Sequence, residues 1–181
     1  MAYNNILDYT NTEVGYINGP ITVSEAQAFA RVENTNTAQD SLFALWIRAA
    51  RTKVEQYTGL SLIPRSIVAV LTVPQGNMEL PFGPVTGTPT FVDEQGVSQT
   101  ITTRGLGYPF IVNPVIYTKA TYTAGFAEGA VPDELQQAML LQIAYWWENR
   151  GDQSQGGGAM AANAWCPETI AICQKWKRKV V

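Results

Sequence analysis

Thr22 and Glu25 stand three residues apart ahead of a polar–apolar repeat, the arrangement of a capping box that opens a helix. It predicts a short helix running to about Val32, followed by a polar loop from Glu33. Asp40 or Thr37 then caps a long helix that ends at Thr58, with Gly59 placed to stop it. Phe43, Ile47, Ala50, Val54 and Tyr57 recur at spacings of four and three. Leu42, Leu45, Trp46 and Ala49 widen the apolar face, while Arg48, Arg51, Lys53 and Glu55 are expected mainly on the other side. The helix would be roughly 30 Å long.

After Pro64 the period changes. Ser66–Val73 is rich in β-branched residues and reads as a strand, and Pro74–Asn77 as a turn. Met78–Pro81 is a short strand. Thr90–Asp93 and Val97–Thr102 flank a Glu-Gln-Gly turn and predict a hairpin. Val115–Thr123 alternates between faces as a strand does. The last strong pattern begins at Pro132, which suits a first helical turn because its missing N–H would be unpaired there. Asp133 and Glu134 put negative charge at the positive end of the helix dipole. Met139, Leu140, Leu141, Ile143, Ala144, Tyr145, Trp146 and Trp147 follow, interrupted by Gln142. A helix apolar on nearly every side is covered on nearly every side, so neighbouring subunits are expected to cover part of this one. The fold class is α+β: two N-terminal helices, a small antiparallel sheet, a long apolar helix and a C-terminal tail helix in a mainly helical subunit.

Four segments are expected: a flexible N-terminal arm over 1–20, the main domain over 21–150, a glycine-rich flexible linker over 151–164 and a tail over 165–181. The tail holds Trp165, Ile172 and Trp176 beside Lys175, Lys177, Arg178 and Lys179, a docking peptide more than a pure phosphate binder. Cys166 and Cys173, seven residues apart, fall on one helix face about two turns apart, too far for a bridge. Both are expected as free thiols.

Composition narrows the function. Charged residues are 15 % of the 181-residue chain, against roughly 25 % in typical soluble domains. That leaves surface for protein contacts. A net charge of −3 argues against a dedicated nucleic-acid binder, but not against a wall that DNA slides past. There is no histidine, no CxxC pair and no phosphate loop. The acid pairs Asp93/Glu94 and Asp133/Glu134 have structural explanations in a turn and a first helical turn. No catalytic residue, metal or cofactor is expected, and no enzymatic activity. No run of apolar residues is long enough for a membrane span, and no signal peptide is visible. The expected place is a cytoplasm or the inside of a particle.

YTAGF, then VP, then a Gln- and Ala-rich helix ending in YWWENR resembles the head–tail connector family of tailed double-stranded DNA phages. ITVSEAQAFARVE, DSLFALWIRAARTKVEQYTGLSLI and LPFGPV resemble the same family in the same order, over about residues 21–150. The resemblance implies a virion structural protein at the head–tail interface, assembled in the host cytoplasm. It implies a ring of about twelve copies under the portal, extending the DNA channel without sequence-specific binding and offering a surface to the stopper or tail. The oligomer interface would use Tyr145, Trp146, Trp147 and Arg150, since aromatics and Arg dominate interface energetics. The hairpin at Asp93 to Gly96 would touch the neighbouring subunit. The tail residues Trp165, Ile172, Lys175, Trp176, Lys177, Arg178 and Lys179 would dock on the portal or tail. On this reading Trp147→Asp abolishes assembly in a folded subunit, and deletion of Gly156 to Val181 spares the fold. The alternative is a DNA-binding packaging or regulatory protein.

Overall fold

The Thr22 hydroxyl accepts the Glu25 amide at 3.2 Å, and a Glu25 carboxylate oxygen accepts the Thr22 amide at 2.6 Å. The capping box therefore starts helix α1, Val23–Phe29. The structure is a computed structural model, and it describes residues 6–13, 19–32, 39–71, 78–93, 95–100, 103–105, 109–111, 118–149 and 165–178. Further along are α2 (Asp40–Thr58), α3 (Asp133–Glu148) and α4 (Pro167–Trp176). The strands are β1 (Ile6–Glu13), β2 (Arg65–Leu71), β3 (Met78–Glu79), β4 (Val85–Val92), β5 (Ser98–Gln99), β6 (Thr103–Arg104), β7 (Phe110–Ile111) and β8 (Thr118–Ala124). The α+β class is borne out. The chain divides into two compact units, one holding every described strand and the other every described helix.

In the strand unit, five strands form an antiparallel sheet in the order β1-β2-β8-β4-β5, and β3-β7-β6 form a second, smaller one. Alternation explains the main sheet. Ile67 and Ala69 of β2 share a buried cluster with Ala120, Tyr122 and Ala124 of β8 and Phe91 of β4. Residues two apart point to one face of a strand. The Tyr122 hydroxyl donates to the Pro81 carbonyl, so the one polar atom of that ring is satisfied inside. Gly125 follows at φ +119, where a Cβ would stand 2.0 Å from the Ile63 carbonyl oxygen. Only glycine permits that approach.

Two features differ from the expectation. Within the N-terminal twenty residues, Ile6–Glu13 pairs with β2 from Ile6↔Leu71 to Glu13↔Arg65, closed by an ion pair from Arg65 to Glu13 at 3.7 Å. β4 also begins earlier than the hairpin pattern suggests, at Val85. Pro89 has no N–H for a ladder, and it falls where the β4–β8 register shifts between Thr86 and Thr90. The hairpin itself joins β4 to β5 through Phe91↔Gln99 and Val92↔Ser98. Asp93 organises its turn, accepting the Val97 amide and the Gln99 side-chain amide, each at 2.8 Å.

In the helical unit, α3 packs against α1, α2 and α4. Phe43, Ile47, Ala50 and Val54 of α2 are buried as the periodicity requires. The expected polar face of α2 needs correction, because Arg51 and Glu55 are both buried at 4 % exposure. They lie four apart on the same turn-to-turn row as Ile47 and Thr58, so the helix carries two charged side chains inward. α1 ends on Arg31 in the left-handed region at φ 55. The Val32 amide reaches the Gln27 carbonyl at 2.9 Å and the Arg31 amide the Ala28 carbonyl at 3.1 Å, a Schellman stop with arginine where glycine is usual. Gln27 is buried, and its amide donates to Asp40 at 2.8 Å, tying α1 to the start of α2.

Candidate functional site

The buried stripe of α3 is Leu135, Ala138, Met139, Gln142, Ile143 and Trp146, at alternating steps of three and one. That is the ordinary pattern of one helix face turned inward. The polar residue interrupting the apolar run lies on this face. The Gln142 side-chain oxygen accepts the Cys166 amide at 3.1 Å, which anchors the start of α4. The remaining large residues of α3, among them Leu140, Leu141, Tyr145 and Trp147, are half-buried.

The four residues named as an oligomer interface thus separate. Trp146 is 9 % exposed. Trp147 joins a ring cluster inside its own chain, 5.3 Å from Phe43 and 6.2 Å from Trp46 between centroids. Phe43 is fully buried, so Trp147 supports the unit's own packing, and Trp147→Asp strikes that packing as well as any outer contact. Tyr145 lines a hollow of about 520 Å³ with Phe29, Arg31, Leu141, Ala144 and Glu148. Arg150 lies outside the described residues.

The tail residues are also distributed. Thr169 donates to the Ala138 carbonyl at 3.0 Å, and the Trp176 indole N–H donates to Glu134 at 2.7 Å. Cys173 is fully buried and Cys166 nearly so, both free as expected. Burial pushes the Cys173 thiol up to about 11. The Cys166 thiol donates to Glu168 at 3.0 Å. Ile172 is half-buried, whereas Lys175 and Lys177 are exposed. Lys177 stands 5.4 Å above the Tyr57 ring. Arg178 belongs to the strand unit, where it pairs with Glu79 at 2.6 Å and donates to the Leu80 carbonyl at 3.0 Å. It is buried, so its charge is engaged within the chain. Lys179 and the linker 151–164 lie outside the described residues. With α4 clasped to α3 in this way, deletion of Gly156 to Val181 uncovers Gln142 and Ala138 and takes the Trp176 partner from Glu134, instead of removing an appendage.

One concavity of the helical unit is not foreseen in the sequence. It is a groove of about 680 Å³ whose lining includes Leu45, Arg48, Lys53, Tyr57, Trp146 and Trp165. Leu45 is 52 % exposed, more than any other large apolar side chain among the described residues of this unit. Lys53 lies between two indoles, with its ammonium 4.8 Å from the Trp165 ring and 5.7 Å from the Trp146 ring. Such placement favours a cation electrostatically, while partial burial pulls the Lys53 ammonium below its ordinary pKa. Trp165 meets Tyr57 edge-on at 5.3 Å. The Trp146 indole N–H is buried and has no hydrogen-bond partner among the described residues, although buried tryptophans usually find one. The chemistry is aromatic, apolar and cationic, suited to binding rather than bond-making. Among the described residues no cluster of acids or cysteines could hold a metal, and no helix is long and apolar enough to cross a membrane.

No protein-family model matches the sequence, and no curated protein does. Solved structures do. A chain from the neck of an empty gene transfer agent particle, computed with C6 symmetry, aligns with a TM-score of 0.70 at 25 % identity, covering 95 % of this chain and 97 % of that one. A chain from the virion of a native gene transfer agent particle aligns at 0.68 and 26 % with the same coverage. A chain from the neck of a native particle, computed with C12 symmetry, shares the fold at 0.65 and 24 %. The resemblance to head–tail connector proteins is therefore borne out: along 95 % of its length the chain has the fold of a neck component of phage-like particles.

Proposed function

We propose that this chain is a structural subunit of the neck of a phage or phage-like virion, a head–tail connector that forms a ring under the portal. The observation that carries the reading is the likeness in fold and sequence, over nearly the whole of both chains, to components of gene transfer agent necks and virions. Two of those necks were computed with C6 and C12 symmetry, which supports a cyclic arrangement of copies. A ring in that position extends the DNA channel and presents a surface to the stopper or tail. Low charge, a net −3, and a half-buried apolar face on α3 suit protein-to-protein assembly along a channel that releases DNA. The function is assembly rather than chemistry. Asp93 is engaged by its hairpin turn and Glu134 by Trp176, as structural acids are.

Gold-labelled antibody to this chain, applied to particles opened between head and tail, tests the location. Label confined to the neck supports the proposal. Label on tail fibres or over the capsid shell, or protein recovered only with free DNA, sinks it.

A further inference from the structure

Rings differ from two-fold dimers in what they ask of a surface. A two-fold contact pairs a patch with itself, whereas a ring needs two different patches that fit each other on every copy. The described residues carry such a pair. One is the concave groove of the helical unit, whose charged lining residues, Arg48 and Lys53, are both cations. The other is the β4–β5 hairpin tip of the strand unit, where Val97 is 58 % exposed, more than any other large apolar side chain described. Asp93 stands beside it, and no Lys or Arg occurs anywhere from Val85 to Thr102. The tip is held in shape by the bonds from Asp93 to the Val97 amide, the Gln99 side chain and, through its carbonyl, the Gly96 amide.

We propose that the β4–β5 hairpin tip of one copy docks in the Leu45–Lys53–Trp146 groove of the next. This rests on the ring reading and names the contact that builds it. Charge selects the occupant, an acidic tip for a cationic groove. Val97 meets Leu45 and the indole faces, and the acidic turn meets Arg48 and Lys53.

The test is native mass measurement on wild type, Leu45→Glu, Val97→Asp and an equal mixture of the two variants, with circular dichroism to establish folding. Both side chains are more than half exposed, so both variants should fold; the exposed Arg48→Glu serves as a second groove variant. Wild type is expected as rings, and each variant alone as monomer. The mixture is expected to form a one-to-one dimer, because each variant still offers the surface the other needs. Rings that persist in Leu45→Glu, Arg48→Glu and Val97→Asp overturn this contact and leave the ring reading standing. A mixture that stays monomeric also overturns the contact. Wild type that never forms rings overturns the ring reading, and this contact with it.

Discussion

Arg31 shows how much a single dihedral matters. It occupies the left-handed position that stops α1, at φ 55, where a Cβ costs roughly 1–2 kcal/mol. Arg31→Gly should therefore stabilise the protein by about 0.5–1 kcal/mol, read as a higher urea midpoint with an unchanged slope. Arg31→Val should lower it. Buried polar side chains show the converse, with stability resting on one specific partner. Gln142 reads in the sequence as a break in an apolar run, yet it is the buried residue that holds the Cys166 amide. Arg51 and Glu55 likewise look like a solvated face and lie inside. Residue-type patterns rank polar groups as outward, and only tertiary partners reverse that ranking, so these positions were not legible. Trp146 was legible as large and apolar. That it shares a groove with Lys53 and Trp165 was not, because those residues lie on three segments far apart in sequence.

Among the elements, those with strong periodicity were readable: the capping box, α2, α3, the β-branched run of β2 and the alternation of β8. β1 was not, because its Asp, Thr and Asn residues offer no apolar alternation, and its pairing with β2 supplies what the pattern lacks. The two-residue strands β3, β6 and β7 are too short for any period. The capping box makes a pH prediction. Bonds from the Thr22 amide and hydroxyl hold the Glu25 carboxyl below its ordinary 4.5. A lowered folded pKa adds stability above the ordinary value, lost as pH falls through the lowered one. Glu25→Gln should flatten the acid limb of the stability curve below about pH 4.5 and leave the neutral-to-alkaline limb unchanged. The tail makes another. Removing residues 165–181 strips α3 of its bonds to Cys166, Thr169 and Trp176 and exposes apolar surface that α4 buries. Stability should fall by roughly 3 kcal/mol or more, with earlier proteolysis of α3. A truncated chain as stable as the full one would show that α4 is an appendage after all.

For the whole molecule, sequence and structure meet on one reading by different routes. Ordered segments from ITVSEAQAF to YWWENR point to the connector family, and the chain matches a neck component over 95 % of its length. The resemblance was visible because helix caps, turns and apolar faces occur in a fixed order. The assembling surfaces were not, because an interface is a property of two copies and a single chain shows only its unmatched halves. On the proposed ring reading, a half-buried α3 face, an aromatic cationic groove and an acidic hairpin tip are such halves. The central claim is that these chains close into a ring. Electron microscopy of the concentrated purified protein, with native mass on the same sample, tests it most directly. The account predicts closed rings of one size around a central hole. A uniform monomer, or a compact dimer that retains DNA at physiological salt, would contradict it.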